Sequence, residues 1–289
     1  MRYRLRHTTE YAYATPVDLA SHLLHLSPRA LPWQAVAGAR ITAMPEPSRM
    51  VSARDHFGNE ATWLFLDQPH ERFNVALEAV VEVAAPPPPE DAATPAWEEV
   101  ARLAALGGPN AGDAEFLFAS PLVPAEPAAR AYAANCFTPG RPVLACLREL
   151  MRRIRNEFAF RPGVTDVSTT VAKVLARKEG VCQDFTHLMI ASMRGFGLPA
   201  RYVSGYLRTR PPPGQPRRRG ADQSHAWVGA WLGPEHGWIG LDPTNDLVVA
   251  DEHVLLAWGR DYGDISPIRG VLLGGGQHSV RVGVDLDAL

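Results

Sequence analysis

Four consecutive prolines, residues 86–89, divide this chain of 289 residues into two parts with different patterns. A proline run holds an extended conformation and donates no backbone hydrogen bonds, so it continues neither a helix nor a central strand. The surrounding segment AAPPPPEDAATP, at 84–95, therefore predicts a semi-rigid linker. We expect an N-terminal domain over 1–85 and a second domain over 96–289, which agrees with a prior of about 150 residues per domain.

The region before the prolines alternates apolar and polar residues in several short runs. The clearest run lies at 74–83, and breaks such as HFGN at 56–59 separate it from the others. Period-two patterns of this kind are typical of strands that bury one face of an antiparallel sheet. The sequence therefore predicts an N-terminal antiparallel β domain.

The region after the prolines begins with helical spacing and continues with short strands. Apolar residues recur at helical spacing in 96–106, 127–136 and 143–158. A helix capped by Ser168 or Thr169 and ended by Gly180 is expected next, followed by a helix that begins at Cys182. Three strands are then predicted, in ARYVSGYLR, SHAWVGAWL and GWIGLDPT. Helices followed by a sheet predict the α+β class for 96–289.

Charge and composition exclude several classes of partner. The chain has 29 Lys and Arg against 31 Asp and Glu, which argues against a chain-wide basic surface for nucleic acid or an anionic membrane. It has no run of about 18 apolar residues. The N-terminal sequence MRYRLRHTTEYAYAT lacks the continuous apolar stretch of a signal peptide. Three cysteines leave at least one thiol free, as is usual in a reducing compartment, so we expect a cytoplasmic protein.

One of the three cysteines, Cys182, stands where a helix is predicted to begin. A thiol reacts as its thiolate, which the partial positive charge and free amides of a helix N-terminus favour. Cys136 and Cys146 lie instead within helical patterns among apolar residues, where inert buried thiols are common. Cys182 is therefore the candidate nucleophile.

A nucleophilic cysteine needs an imidazole to move its proton and a further polar group to orient that imidazole. His225 lies near the start of one predicted strand, and Asp242 lies at the end of the next. If these strands pair across the turn GPEHG at 233–237, the two side chains come to lie roughly opposite each other. This arrangement predicts a Cys182, His225, Asp242 triad.

The other histidines are weaker candidates. His187 lies five residues after the cysteine, which turns it by about 140° around a helix, and it should point elsewhere. His236 falls in the predicted turn, and His253 falls in a segment that we interpret as helix-like. His22 and His25 have no carboxylate partner at helical spacing, so we predict no metal site there.

Two features of the sequence, Asp184 and the segment 208–220, each allow two interpretations. Asp184, in the first turn of the predicted helix, either stabilises the helix dipole or helps to order the site. The segment RTRPPPGQPRRRG, at 208–220, is either a solvated loop or a mobile lid that contacts anionic substrates. The residues alone do not decide between these alternatives.

Two longer segments carry a resemblance to a known family: EGVCQDFTHLMIASMRGFGLPARYVSGYL at 179–207 and SHAWVGAWLGPEHGWIGLDPTND at 224–246. They resemble the transglutaminase-like superfamily, in its bacterial branch with an N-terminal β region. The resemblance is close over 140–250 and loose over the first 85 residues. It implies a papain-like α+β core in which Cys182 is the nucleophile, His225 the general base and acid, and Asp242 the residue that orients His225.

The chemistry that the resemblance implies is acyl transfer through a thioester. We expect a cysteine protease or amidase that hydrolyses a peptide, isopeptide or glutamine-type amide. The alternatives are a true transglutaminase with an amine acceptor and a non-catalytic peptide-binding module on the same fold. An arylamine N-acetyltransferase should carry R-G-G before the cysteine, where this chain has K-E-G. The expected partner is a peptide or protein substrate.

No cofactor or metal is expected. The chain has no D-x-[DN]-x-[DN]-G calcium loop and no pair of C-x-x-C motifs for zinc. The backbone amide of Cys182 is the first candidate for the oxyanion donor. The second donor stays unassigned, since Phe158 and Phe160, upstream of the cysteine, have no side-chain donor.

Overall fold

The computed structural model describes residues 1–107, 111–209 and 222–289. One large sheet is formed by strands from both ends of the chain. Its strands are β1 (Arg2–Leu24), β2 (Gln34–Met44), β3 (Arg49–Arg54), β4 (Glu60–Leu66), β5 (His70–Val83), β13 (Ile268–Gly274) and β14 (His278–Ala288).

Strand β1 is the centre of this sheet. It spans 23 residues and pairs antiparallel with β4 and β5, with Tyr3 opposite Val81 and Leu24 opposite Thr62. In its first half, side chains are alternately buried and exposed, because successive residues of a strand point to opposite faces of the sheet. The prediction of an antiparallel β region over the first 85 residues agrees with this sheet.

The C-terminal strands β13 and β14 pair with β1. Tyr3 lies opposite Ala288, and Leu24 lies opposite Ile268, so residues 268–288 complete the N-terminal sheet. The sequence placed these residues in the predicted second domain, 96–289, whereas in the structure they join the sheet of the N-terminal region. Pairing between the two ends of a chain has no local sequence signal, which is why the pattern alone missed it.

Five helices lie between the proline run and the second sheet among the described residues. They are α1 (Trp97–Ala105), α2 (Pro127–Ala133), α3 (Val143–Glu157), α4 (Val171–Arg177) and α5 (Cys182–Gly195). Thr170 caps α4, since its hydroxyl accepts from the Lys173 amide, and the predicted caps at Ser168 and Thr169 were too early. Lys178, at φ 55°, ends α4 before Gly180. None of these helices is both long and apolar enough to cross a membrane.

The second sheet is antiparallel and carries the segments that the sequence predicted as strands. Its strands are β8 (Ala200–Leu207), β9 (Gln223–Trp231), β10 (Trp238–Asp242), β11 (Leu247–Val248) and β12 (His253–Gly259), in the order β11-β10-β9-β8-β12. Two short strands, β6 (Ala159–Phe160) and β7 (Glu179–Gly180), pair in parallel just before α5. Helix α5 packs on β8 and β9, and the chain has the predicted α+β class.

Side chains of the N-terminal region hold the outer edge of this second sheet. Gln34 donates to the carbonyl of Leu255 and accepts from its amide, at 2.7 and 2.8 Å. Asn59 makes the same pair of bonds with Trp258, at 2.8 and 3.0 Å. Because β12 is the edge strand, these amides satisfy backbone groups that would otherwise face solvent. The two sheets share one continuous core.

The proline run lies against this assembly. Within the predicted linker, 84–95, residues 84–90 form neither helix nor strand, and Asp91–Ala93 form a short 3-10 helix. The amide of Ala84 donates to the carbonyl of Trp33, and the amide of Ala85 donates to the Asp251 carboxylate. At the other end of the segment 84–95, the carbonyl of Pro95 accepts from the amide of Val143. Both ends of the segment are therefore bound to folded parts of the chain.

Candidate active site

Cys182 is the first residue of α5, as predicted. The carboxylate of Asp184 accepts from the amide of Val181 at 2.8 Å and from the hydroxyl of Thr165 at 2.7 Å. A Cβ at Gly180 would lie 2.8 Å from the Cβ of Asp184, so glycine is needed there for the close approach. Asp184 thus orders the start of the helix and the loop before it, which favours the second of its two interpretations.

The three cysteines have different surroundings. All are free thiols, but Cys136 and Cys146 are completely buried, whereas Cys182 is partly exposed. Burial raises the pKa of Cys136, and it raises the pKa of Cys146 to about 12. Both groups are therefore protonated and shielded near neutral pH.

The predicted hairpin brings His225 and Asp242 together. Strands β9 and β10 pair with Trp231 opposite Trp238, so the start of β9 lies beside the end of β10. The Nε2 atom of His225 lies 2.8 Å from Oδ2 of Asp242. Cys182 interacts with the same ring, since it is one of the groups that raise the pKa of His225. The structure therefore brings the three predicted residues together.

The His225 and Asp242 pair is buried and strongly polarised. Burial alone would lower the pKa of His225, but the hydrogen bonds and charges of Asp242 and Cys182 more than offset it and raise the pKa to about 10. Burial alone would raise the pKa of Asp242, yet bonds from His225, His253 and Asn245 hold it well below its usual range. The pair is thus an imidazolium beside a carboxylate near neutral pH.

Asp242 receives donors that the sequence reasoning did not assign. Nδ2 of Asn245 lies 2.7 Å from Oδ2 of Asp242, the oxygen that also faces His225. The amides of Thr244 and Asn245 donate to the other oxygen, at 2.9 and 3.3 Å. The motif DPTN places these donors two and three residues after the aspartate, which is typical of an Asx turn and could have been read from the sequence.

His253 also contacts the site, and the helix-like interpretation of its segment was wrong. It is the first residue of β12, and its Nε2 atom lies 3.4 Å from Oδ2 of Asp242. Antiparallel pairing explains the convergence, because the end of β10 and the starts of β9 and β12 lie at the same end of the sheet. No short-range pattern reveals this proximity.

Comparison with known proteins identifies the architecture. Residues 130–243 match a family model described as the transglutaminase-like superfamily, and residues 3–82 match one described as the bacterial transglutaminase-like N-terminal region. An uncharacterized protein of Mycobacterium tuberculosis is 41% identical over 293 residues, which cover 99% of this chain and 92% of the relative. The chain belongs to the transglutaminase-like superfamily.

Two further proteins extend the comparison. A crystal structure from Cytophaga hutchinsonii, described as a "putative cysteine protease", superposes with a TM-score of 0.75 at 20% identity, over 99% of this chain and 90% of the other. It supports the transglutaminase-like fold predicted from the sequence. A protein-glutamine gamma-glutamyltransferase of Pseudomonas aeruginosa is 30% identical over 104 residues, covering 35% of this chain and 15% of that protein.

The remaining histidines lie apart from this transglutaminase-like site. His187 is buried, its Nε2 accepts from the Tyr262 amide at 3.2 Å, and burial lowers its pKa to about 4. His22 stacks on Phe73 in the N-terminal sheet, and His25 lies 3.3 Å from Asp55. The half-buried His236 contacts the carbonyl of Ala93. His187 therefore points away from Cys182, as its helical position predicts.

One group of possible metal ligands occurs among the described residues. It consists of His225, Asp242 and His253, whose ligand atoms lie within 4.8 Å of one another. The carboxylate already accepts from both rings, so each imidazole proton occupies the position that a cation would take. We interpret the group as a hydrogen-bonded network. The predicted loop at 208–220 lies outside the described residues from residue 210 onward.

Gly205 is the position where an added methyl group should disturb the transglutaminase-like core most. Its Cβ would lie 2.2 Å from the Val254 carbonyl and 2.3 Å from the Trp227 ring. We expect Gly205→Ala to lower the free energy of unfolding by about 1–3 kcal/mol, because β8 and β12 must separate. Thermal melting of Gly205→Ala measures this loss. The control is Gly263→Ala, whose added Cβ would come no closer than 3.1 Å to another atom. Equal melting temperatures would show that the sheet absorbs the methyl group.

Proposed function

We propose that this protein is a cysteine-dependent enzyme that transfers the acyl group of an amide through a thioester, most often to water. The observation that carries the proposal is the hydrogen bond of His225 with the buried carboxylate of Asp242, beside a cysteine, Cys182, that raises the pKa of the same ring. An isolated cysteine at a helix start, or a histidine at a strand end, has many structural uses. A cysteine, a histidine and a carboxylate brought together around one imidazole are the arrangement that nucleophilic catalysis requires.

The proposed reaction has two steps. The sulfur of Cys182, as a thiolate, attacks the amide carbonyl and forms a C–S bond; the C–N bond then breaks while Nδ1 of His225 gives its proton to the departing amine. In the second step the neutral His225 removes a proton from water, whose oxygen forms the new C–O bond. The C–S bond breaks and releases the acid and the thiolate. Asp242 keeps its charge throughout and stabilises the imidazolium.

The tetrahedral intermediate needs donors for its oxyanion. Amides in the first turn of an α-helix have no partner within the helix, and Cys182 is the first residue of α5. We propose the amide of Cys182 as one donor, supported by the partial positive charge of the helix N-terminus. The preceding amide, that of Val181, already donates to Asp184. The amide of Cys182 is therefore the first one in the helix that we propose to donate to a ligand.

An amine acceptor is the second candidate for the deacylation step. The similarity to the P. aeruginosa protein-glutamine gamma-glutamyltransferase, which spans 104 residues, favours it. A panel of glutamine peptides, incubated with and without a fluorescent primary amine, separates the outcomes. Hydrolysis releases ammonia and leaves glutamate in both conditions, whereas transfer releases ammonia only when the amine is present and incorporates that amine into the peptide. Neither product with any peptide would favour the non-catalytic peptide-binding alternative.

Selective alkylation tests the nucleophile without knowledge of the substrate. We expect iodoacetamide at pH 7 to modify Cys182 at least about tenfold faster than Cys136 or Cys146, because the latter two are buried and their pKa values are raised. Peptide mass mapping of a time course measures the three rates. Unfolded protein in urea is the control, in which the three rates should converge. Equal rates in the folded protein would remove the nucleophile assignment.

We propose a peptide or protein as the substrate and the cytoplasm as the compartment. The substrate class follows from the amide chemistry of the proposed site. The compartment is supported by the thiols, since all three cysteines are free and two of them are buried in the core. Free buried thiols are usual where the surroundings are reducing.

A further inference from the structure

His253 makes a contact that the proposed reaction does not yet use. Its ring is buried, with an exposed fraction of 2%, and Nε2 lies 3.4 Å from Oδ2 of Asp242. Its other nitrogen, Nδ1, is buried and has no hydrogen-bond partner among the described residues. Of the two ring nitrogens, only Nε2 faces a hydrogen-bond acceptor in the described part of the chain. The Asp242 carboxylate is therefore the hydrogen-bond partner of this ring among the described residues.

The surroundings of His253 hold the ring in place. The ring of Trp227 meets it edge to face, with ring centroids 5.3 Å apart. Trp227 reaches this position across β8 at Gly205, the residue of β8 that lies opposite His225. The edge of β12 is fixed by Gln34, which bonds both backbone groups of Leu255. The orientation of His253 is thus set by packing on one side and by the N-terminal region on the other.

We propose that His253 is a positioning residue that holds the Asp242 carboxylate in the orientation required by His225. This inference rests on the proposed function. Oδ1 of Asp242 is bound by the amides of Thr244 and Asn245, and Oδ2 is shared by Asn245, His225 and His253. The donor from β12 comes from a different strand than the others. The bond from His253 therefore opposes rotation of the Asp242 carboxylate from a different side than the bonds from Thr244 and Asn245, which lie in the turn after β10.

The titratable groups that face this carboxylate come from three elements. His225 lies on β9, His253 lies on β12, and Cys182, on α5, interacts with His225. The uncharged Asn245 completes the set of side-chain donors. A pH profile of the Cys182 thiol consequently reports on His225 and, through it, on the state of Asp242.

The test follows the rate of Cys182 alkylation by iodoacetamide as a function of pH in the full chain. A thiolate beside an imidazolium gives a profile whose upper inflection reports the loss of the imidazolium proton. We expect His253→Leu to move this inflection to lower pH by about 0.5–1 unit, a three- to tenfold weaker hold on the proton, the size expected of one hydrogen bond. In the Asp242→Asn background, His253→Leu should add no further shift.

Two amide variants separate positioning from packing. His253→Gln can place its amide nitrogen near the position of Nε2 and should keep the wild-type inflection, whereas His253→Asn is one methylene shorter and should behave like His253→Leu. Thermal melting of each variant shows whether it is folded. If His253→Leu does not fold, the comparison of His253→Gln with His253→Asn still separates positioning from packing. The same inflection in all variants, whatever their melting temperatures, would overturn the proposal. A wild-type Cys182 that is no more reactive than Cys136 would overturn the proposed function instead.

Discussion

Cys182→Ala is expected to abolish acyl transfer, with a loss of about 10⁵-fold or more against the best amide substrate from the glutamine-peptide panel. The reason is that the thioester requires a thiol: the two other cysteines of the chain, Cys136 and Cys146, are buried in the core, and His225 and Asp242 are bonded to each other. Steady-state product release gives the size of the loss. Intact-protein mass spectrometry should show an acyl adduct on the wild type only.

The matched control is Cys136→Ala, which removes a thiol of the same size from the core. It should lower the melting temperature, because it leaves a small cavity, while the rate stays close to that of the wild type. Cys182→Ala should show the reverse, since its side chain is partly exposed and fills little of the core. Turnover by Cys182→Ala at more than about one hundredth of the wild-type rate would contradict the assignment, because the residual catalysis of a site without its nucleophile is far smaller.

The parts of the site that the sequence predicted are those with local signals. The start of α5 follows from a glycine before the cysteine and apolar spacing after it, and the structure begins the helix at Cys182. The partnership of His225 with Asp242 follows from a hairpin whose two strands are separated by a short turn with two glycines. In both cases the residues that determine the geometry lie within about 20 positions of one another, where turn and helix preferences act.

The parts that the sequence did not predict depend on distant pairing. His253 reaches Asp242 because β12 adds to β8 on the far side of the sheet from β10. Its segment HVLLAWG is buried throughout most of its length, so it lacks the alternation that would mark a strand. The pairing of β14 with β1 joins the two ends of the chain. Which strand pairs with an open sheet edge depends on how the rest of the chain has folded, so no local pattern in the sequence predicts it.

The N-terminal region therefore has a physical connection to the site. Gln34 and Asn59 satisfy the backbone of β12 on its outer edge, and β12 begins with the histidine that contacts Asp242. The sequence left the role of this region open. In the structure the N-terminal region supports strand β12, whose first residue, His253, contacts Asp242.

His225→Gln is expected to lower the rate of acyl transfer by about 10⁴-fold or more, because glutamine keeps a hydrogen-bonding group but cannot exchange a proton. Alkylation of Cys182 should also slow at pH 7 and lose its upper inflection. Thermal melting of both proteins from pH 6 to pH 10 gives an independent reading. The comparison variant is His236→Gln, which changes a half-buried histidine of the turn, away from the site, and should alter none of these quantities.

The sign of the pH effect on stability follows from the direction of the pKa shift. The pKa of His225 is raised from its ordinary value of 6.5 to about 10 in the folded protein, so the folded state holds this proton more tightly than the unfolded state does. The stability that the pair contributes is fully present below pH 6.5 and is lost as the pH rises toward 10. The melting temperature of the wild type should therefore approach that of His225→Gln across this interval. A difference that grows with pH would mean that His225 is neutral in the folded protein, and the imidazolium required to protonate the leaving amine would be absent.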